Sequence, residues 1–184
     1  MPEKIFTIAA DQWSEHGYIF RDGYVLQYET DRKEKNGEPS LAEMTTKAID
    51  ILSKDEDGFV LMVEAGRIDH AHHAGNAYRA LTDTIALSEA VAAAANLTSA
   101  DDTLILVTAD HSHTLTFAGY PVRGNPILGK VRGSSGEGST PTGYASDATG
   151  LPYTTLNYAN GPGYPGATDQ QPEGPKTAAR EVSG

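Results

Sequence analysis

An α/β fold with parallel strands is what this sequence predicts, from three observations. Helical and apolar-strand patterns alternate through its first two thirds. Two continuous apolar runs, Phe59–Val63 and Thr103–Thr108, lie between turn residues, as strands buried on both faces do. Beyond Phe117 apolar periodicity gives way to Gly, Pro, Ser, Thr and Tyr, so the layered part ends there.

Taken in order, the elements begin with an irregular stretch. Ile5–Ile8 and Tyr24–Leu26 suit short strands, and Asp31 to Glu38 is charged and turn-like. Ser40, followed three residues on by Glu43, reads as a capping box that opens a helix just after Pro39. Leu41, Met44, Ala48, Ile51 and Leu52 recur at helical spacing, and Asp55-Glu56-Asp57-Gly58 ends the helix as a turn. After the apolar run at Phe59 comes a polar segment, Glu64 to Asn76. A second helix then runs from Ala77 to Leu97, with Tyr78, Leu81, Ile85, Ala92 and Ala95 on one broad face. Asp101-Asp102 turns the chain into the second apolar run. The order helix, strand, helix, strand implies parallel strands joined by crossovers. Gly161 to Gly184 carries almost no large aliphatic residue and reads as loop or disorder.

With 184 residues the chain can form one domain with a core. No run of 18 apolar residues is present. The start, Met1-Pro2-Glu3-Lys4, lacks the apolar stretch of a secretory leader, so the protein is expected to be cytosolic or the chain to begin inside a longer one. A formal charge of -11 argues against nucleic acid as a partner, because a phosphate backbone is held by clustered Lys and Arg. There is no cysteine, so any zinc must be held by imidazole and carboxylate.

Five of the six histidines fall in two short clusters, Asp69-His70-Ala71-His72-His73 and Asp110-His111-Ser112-His113. Each cluster directly follows an expected buried strand, and open α/β sheets bind ligands at the carboxyl ends of their strands. Asp69 and His73, four apart, share a face on one helical turn and can grip one ion. Asp110 and His111 can both reach a second ion if they lie on a loop past the strand end. Carboxylate with imidazole suits catalytic zinc, and two ions about 4 Å apart suit phosphoryl transfer. The competing reading is a set of solvated loop histidines. Glu64, at the end of an apolar run, is equally a surface acid or a ligand. Arg67 by itself reads as a salt-bridge residue and His16 as a surface histidine. Asn96-Leu97-Thr98 matches a glycosylation acceptor, a weak signal outside a secretory pathway.

The motifs resemble those of the alkaline phosphatase family. Phe59-Val60-Leu61-Met62-Val63-Glu64-Ala65-Gly66-Arg67-Ile68-Asp69-His70-Ala71-His72-His73 is similar to the family's strand ending in V-E-G-G-R-I-D-H-x-H-H, with Ala65 in place of a glycine. Val107-Thr108-Ala109-Asp110-His111-Ser112-His113 is similar to its V-T-A-D-H-S-H segment. Tyr28–Arg32, Pro39–Thr45, Gly119–Gly124 and Tyr158–Tyr164 resemble further stretches in the same order.

The resemblance implies a doubly wound sheet sandwiched by helices, of which this chain is part, followed by a loop-rich crown-like segment. It divides the chain into a lead-in at 1–38, part of a metal-binding catalytic domain at 39–117, and a crown-like region with a disordered tail at 118–184. It implies hydrolysis of phosphate monoesters by two zinc ions and one magnesium through a phosphoserine. Asp69 and His73 would bind the first zinc, Asp110 and His111 the second, and Glu64 the magnesium. His113 would orient a ligand of the first zinc, and His70 would lie near the phosphate. His72 receives no role. Tyr120 would sit at the interface of a homodimer. The location implied is periplasmic, secreted or cell-surface. The family's Asp-Ser-Ala nucleophile motif does not occur in the chain, which therefore resembles an internal fragment expected to be inactive alone. The alternatives are another hydrolase of the same superfamily (a phosphodiesterase, phosphomutase or sulfatase) or a non-catalytic metal-binding fragment.

Overall fold

The computed structural model describes residues 5–8, 27–32, 38–133, 143–147 and 150–160. They form an α/β arrangement of three helices and small two-stranded sheets: β1 (Ile5–Ile8), α1 (Leu41–Leu52), β2 (Val60–Val63), α2 (Arg67–His73), α3 (Ala77–Leu97), β3 (Leu115–Phe117), β4 (Arg132–Gly133), β5 (Gly143–Tyr144) and β6 (Leu156–Tyr158). No large doubly wound sheet forms among the described residues. Two compact units divide the chain, one of residues up to His70 with Arg79–Ala109, the other of Ala71–Tyr78 with Asp110 onward. The division cuts the continuous helix α2.

In the first unit β1 and β2 pair in parallel, Ile5 opposite Val60 and Ile8 opposite Val63, so the strand at Ile5 is present, but the parallel pair is not the expected one of Phe59–Val63 with Thr103–Thr108. The α1 capping box forms as expected. The Ser40 N–H donates to Glu43 Oε2 at 2.7 Å, and the Glu43 N–H donates to Ser40 Oγ at 3.1 Å. Those bonds, led by the one to the Ser40 backbone, hold the Glu43 carboxyl below its ordinary range. Leu41, Ala48 and Ala90 form the core, with Met44, Leu61, Val63, Ala65 and Leu87 packed against it.

Three expectations for this unit fail. β2 is not buried on both faces: Leu61 and Val63 face the core, while Val60 and Met62 are exposed, because among the described residues only one face is covered. Thr103–Thr108 forms no strand, and Leu104 and Leu106 are about four-fifths exposed, at 80% and 81%. β2 pairs with β1, and no described strand offers 103–108 a hydrogen-bonded ladder. α3 has its expected bounds but turns the other way. Ala77, Ala80, Asp83, Ala86 and Ala90 are buried, whereas Tyr78, Ile85, Ala92 and Ala95 are exposed. Small side chains let the helix approach its neighbours closely, and that outweighs the larger apolar residues.

In the second unit β3 pairs antiparallel with β6, Leu115 opposite Tyr158, and β4 pairs antiparallel with β5. Among its described residues from Asp110 onward, Val131, Leu156 and Tyr158 are the buried apolar ones. Gly119 is required where it stands. Its φ is +73°, and a Cβ there would lie 2.9 Å from Val131 Cγ1 and 3.0 Å from the Tyr153 hydroxyl. The expected strand at Tyr24–Leu26, the histidine at His16 and the tail from Gly161 lie outside the described residues.

Candidate metal centre

The site is built on helix α2. The chain leaves β2 at Val63, passes Glu64-Ala65-Gly66, and enters the helix at Arg67. Ala71, fully buried, anchors the helix, and Gly75 at φ +62° ends it. The Asn76 N–H donates back to the Ala71 carbonyl at 2.8 Å. Over so short a helix the four-residue spacing of Asp69 and His73 places both side chains on one face.

His113 comes from the loop before β3. Its φ of 54° is the left-handed conformation that non-glycine residues rarely hold. One ligand atom from each of Asp69, His73 and His113 lies within 4.8 Å of the other two. His73 and His113 meet edge to face, centroids 4.6 Å apart and planes at 81°. One carboxylate and two imidazoles, in a chain without thiols, are a donor set that fits a catalytic divalent zinc, which takes three protein ligands and keeps one position open.

The other expected site residues are not among the three whose ligand atoms gather. Asp110 and His111 are exposed and turned on each other, His111 Nε2 lying 3.3 Å from Asp110 Oδ2. The His113 N–H donates to His111 Nδ1 at 3.0 Å. Glu64 is exposed at the end of β2. Tyr120 is 92% exposed. His113, expected to orient another ligand, has a ring nitrogen as close to Asp69 and His73 as a ligand's would be.

Several contacts had no signal in the sequence. Arg67 Nη1 donates to His70 Nδ1 at 3.1 Å. A guanidinium only donates, so Nδ1 accepts and the imidazole proton sits on Nε2. Arg67 and Arg79 both lie over the Tyr28 ring, 4.8 and 4.4 Å from its centroid. Beside them Asp83 is buried in the first unit, accepting from the Glu29 N–H at 3.3 Å. Burial pushes its carboxyl up to about 6, against the pull of that hydrogen bond and of Arg67 and Arg79. His72 bonds the Tyr158 hydroxyl at 2.8 Å across 86 residues of sequence.

Fold and site together define an α/β chain with a carboxylate–imidazole metal cluster. The family model for alkaline phosphatase matches residues 17–182. Chicken tissue-nonspecific alkaline phosphatase is 48% identical over 146 residues, 79% of this chain and 26% of that protein. The human tissue-nonspecific isozyme is 46% identical over 139 residues, covering 76% of this chain and 24% of its own length. The silkworm (Bombyx mori) membrane-bound alkaline phosphatase is 44% identical over 142 residues, 77% and 24% of the two chains. This chain belongs to the alkaline phosphatase family. It spans about a quarter of the length of these relatives. No helix among the described residues is long and apolar enough to cross a membrane.

Proposed function

We propose that this chain supplies part of the metal site of an alkaline phosphatase that hydrolyses phosphate monoesters. The observation that carries the reading is the convergence of Asp69, His73 and His113 from two separated motifs. Asp69, His73 and His113 would hold one zinc. Asp110 and His111 would hold a second once His111 turns from Asp110, and Glu64 would contribute to a magnesium site. Bound divalent ions supply Lewis-acid stabilisation of phosphoryl oxygens. His70, kept with its proton on Nε2 by Arg67, offers a hydrogen-bond donor to a phosphate oxygen. The nucleophilic serine of the phosphoserine route would come from sequence beyond this chain, as would the strands that complete a doubly wound sheet around β1 and β2. Tyr120 would then face a second copy in a homodimer, with the crown-like region at 118–184 beside it. The periplasmic, secreted or cell-surface setting follows the family resemblance, and the silkworm relative's name, membrane-bound alkaline phosphatase, supports a cell-surface one.

Two assays test this. The chain alone, with zinc and magnesium at alkaline pH, is expected to leave p-nitrophenyl phosphate intact, because it has no serine in the family's nucleophile context. In a longer parent protein containing this segment, Asp110→Asn should lower turnover by roughly 10–100-fold or more. Unchanged turnover and zinc content in that variant would overturn the reading.

A further inference from the structure

We propose that the second unit carries a binding site for a phosphate-bearing anion, formed by Lys130, Arg132 and Tyr144 with Arg123 on the adjoining turn. The site shares no residue with the proposed metal centre, so it stands or falls independently of that reading. It begins from unmatched charge. The chain's formal charge is -11, and in the first unit Arg32, Lys47 and Arg79 are each paired with a carboxylate, Glu29, Asp50 and Asp31 in turn. Among the described residues no carboxylate pairs with Arg123, Lys130 or Arg132. The described residues from Asp110 onward set those three cations against two carboxylates, and both are engaged: Asp110 with His111, Asp147 as acceptor from the Leu151 N–H at 3.0 Å.

Backbone geometry gathers the cations. Lys130 and Arg132 lie two apart in an extended stretch and flank Val131, which is 1% exposed, so both project to the face that Val131 does not bury. Arg132 stands opposite Tyr144 in the β4–β5 pair, which puts that ring on the same face. Lys130 Nζ lies over the ring, 5.8 Å from its centroid. The stretch is held from both sides: the Val131 N–H donates to the Tyr153 carbonyl and the Ala145 N–H to the Val131 carbonyl, each at 2.9 Å. The Arg132 N–H donates to Asn125 Oδ1 at 3.1 Å, which draws in the turn that carries the exposed Arg123. A guanidinium offers paired N–H donors to phosphate oxygens, and an ammonium adds a point charge. With no carboxylate to displace, an anion meets both directly. On a chain whose net charge repels anions, such a patch concentrates them locally. Tyr144 is 57% exposed and adds a ring surface of the kind on which nucleobases stack.

The test is an NMR titration of the metal-stripped 184-residue chain with inorganic pyrophosphate and, separately, with ADP. Stripping the metal leaves only protein groups to hold the anion. Saturable amide shifts centred on residues 129–133 and 143–145 are expected, and they should weaken as salt is raised. Lys130→Gln and Arg132→Gln should each weaken binding about 10-fold, the loss of one charge-assisted bond. Arg132→Glu should abolish it, and Arg123→Gln should cost less than either neutral change. Lys54→Gln removes an exposed cation from the first unit and changes the net charge by the same amount, yet should leave binding unaltered. ADP that binds more tightly than pyrophosphate, and loses that advantage in Tyr144→Leu, identifies the ligand as a nucleotide. Equal affinities identify it as a free phosphate chain. No saturable shift with either anion, shifts confined to the histidine motifs, or equal losses in Lys54→Gln and Arg132→Gln would overturn the proposal.

Discussion

The two histidine motifs use nearly the same residues and end in different states. Asp69 and His73 ride on a helix anchored by a fully buried alanine, and helical geometry alone aligns them. Asp110 and His111 lie on an exposed loop and bond each other. A helix arranges a ligand pair from within, whereas a loop pair depends on whatever surrounds it. The helix-borne pair thus brings its ligand atoms close to that of His113, whereas the loop-borne pair is turned on itself.

The sharpest way to break that contrast is to remove one member from each. His73→Ala should weaken zinc binding by roughly 100-fold or more, since it deletes one of the three proposed ligands. Asp110→Ala should change it by less than about 3-fold, as expected of an exposed loop residue outside the cluster. Equal losses in a titration of the two variants would mean that both motifs share one ion.

The frames behind the two motifs offer smaller effects. In the second unit, Gly119→Ala must fit a Cβ against Val131 and Tyr153 at a left-handed φ. It should cost about 1–3 kcal/mol in urea unfolding. In the first unit the raised carboxyl of Asp83 makes stability depend on pH. The folded group binds its proton more tightly than the unfolded one. Its stabilising contribution is therefore complete below 3.8 and is lost as pH rises through about 6. The loss should be on the order of 2 kcal/mol or less. Asp83→Asn should flatten that part of the stability profile, and a profile identical to wild type would show that Asp83 titrates normally.

What the sequence disclosed follows the same division. α1, its capping box and the bounds of α3 were legible because helical signals are local. The pairing of Asp69 with His73 was legible for the same reason. The face that α3 buries was not, since its alanines win by close packing and hydropathy favours Tyr78 and Ile85. Thr103–Thr108 has the composition of a buried strand, but a strand exists only with a neighbour to pair with, and composition does not reveal the neighbour. The Tyr158–His72 bond depends on a contact between distant parts of the chain, for which one sequence carries no signal, whereas the place of His113 near His73 was legible only through the family resemblance.

The central claim is that Asp69, His73 and His113 are the ligands of one ion. X-ray absorption at the zinc edge, on the chain loaded with one equivalent of zinc, tests it most directly. The account predicts two imidazoles and a carboxylate around the ion, with one imidazole signature lost in His73→Ala and one in His113→Ala. A spectrum unchanged by either substitution, or two equally tight ions per chain, would contradict it.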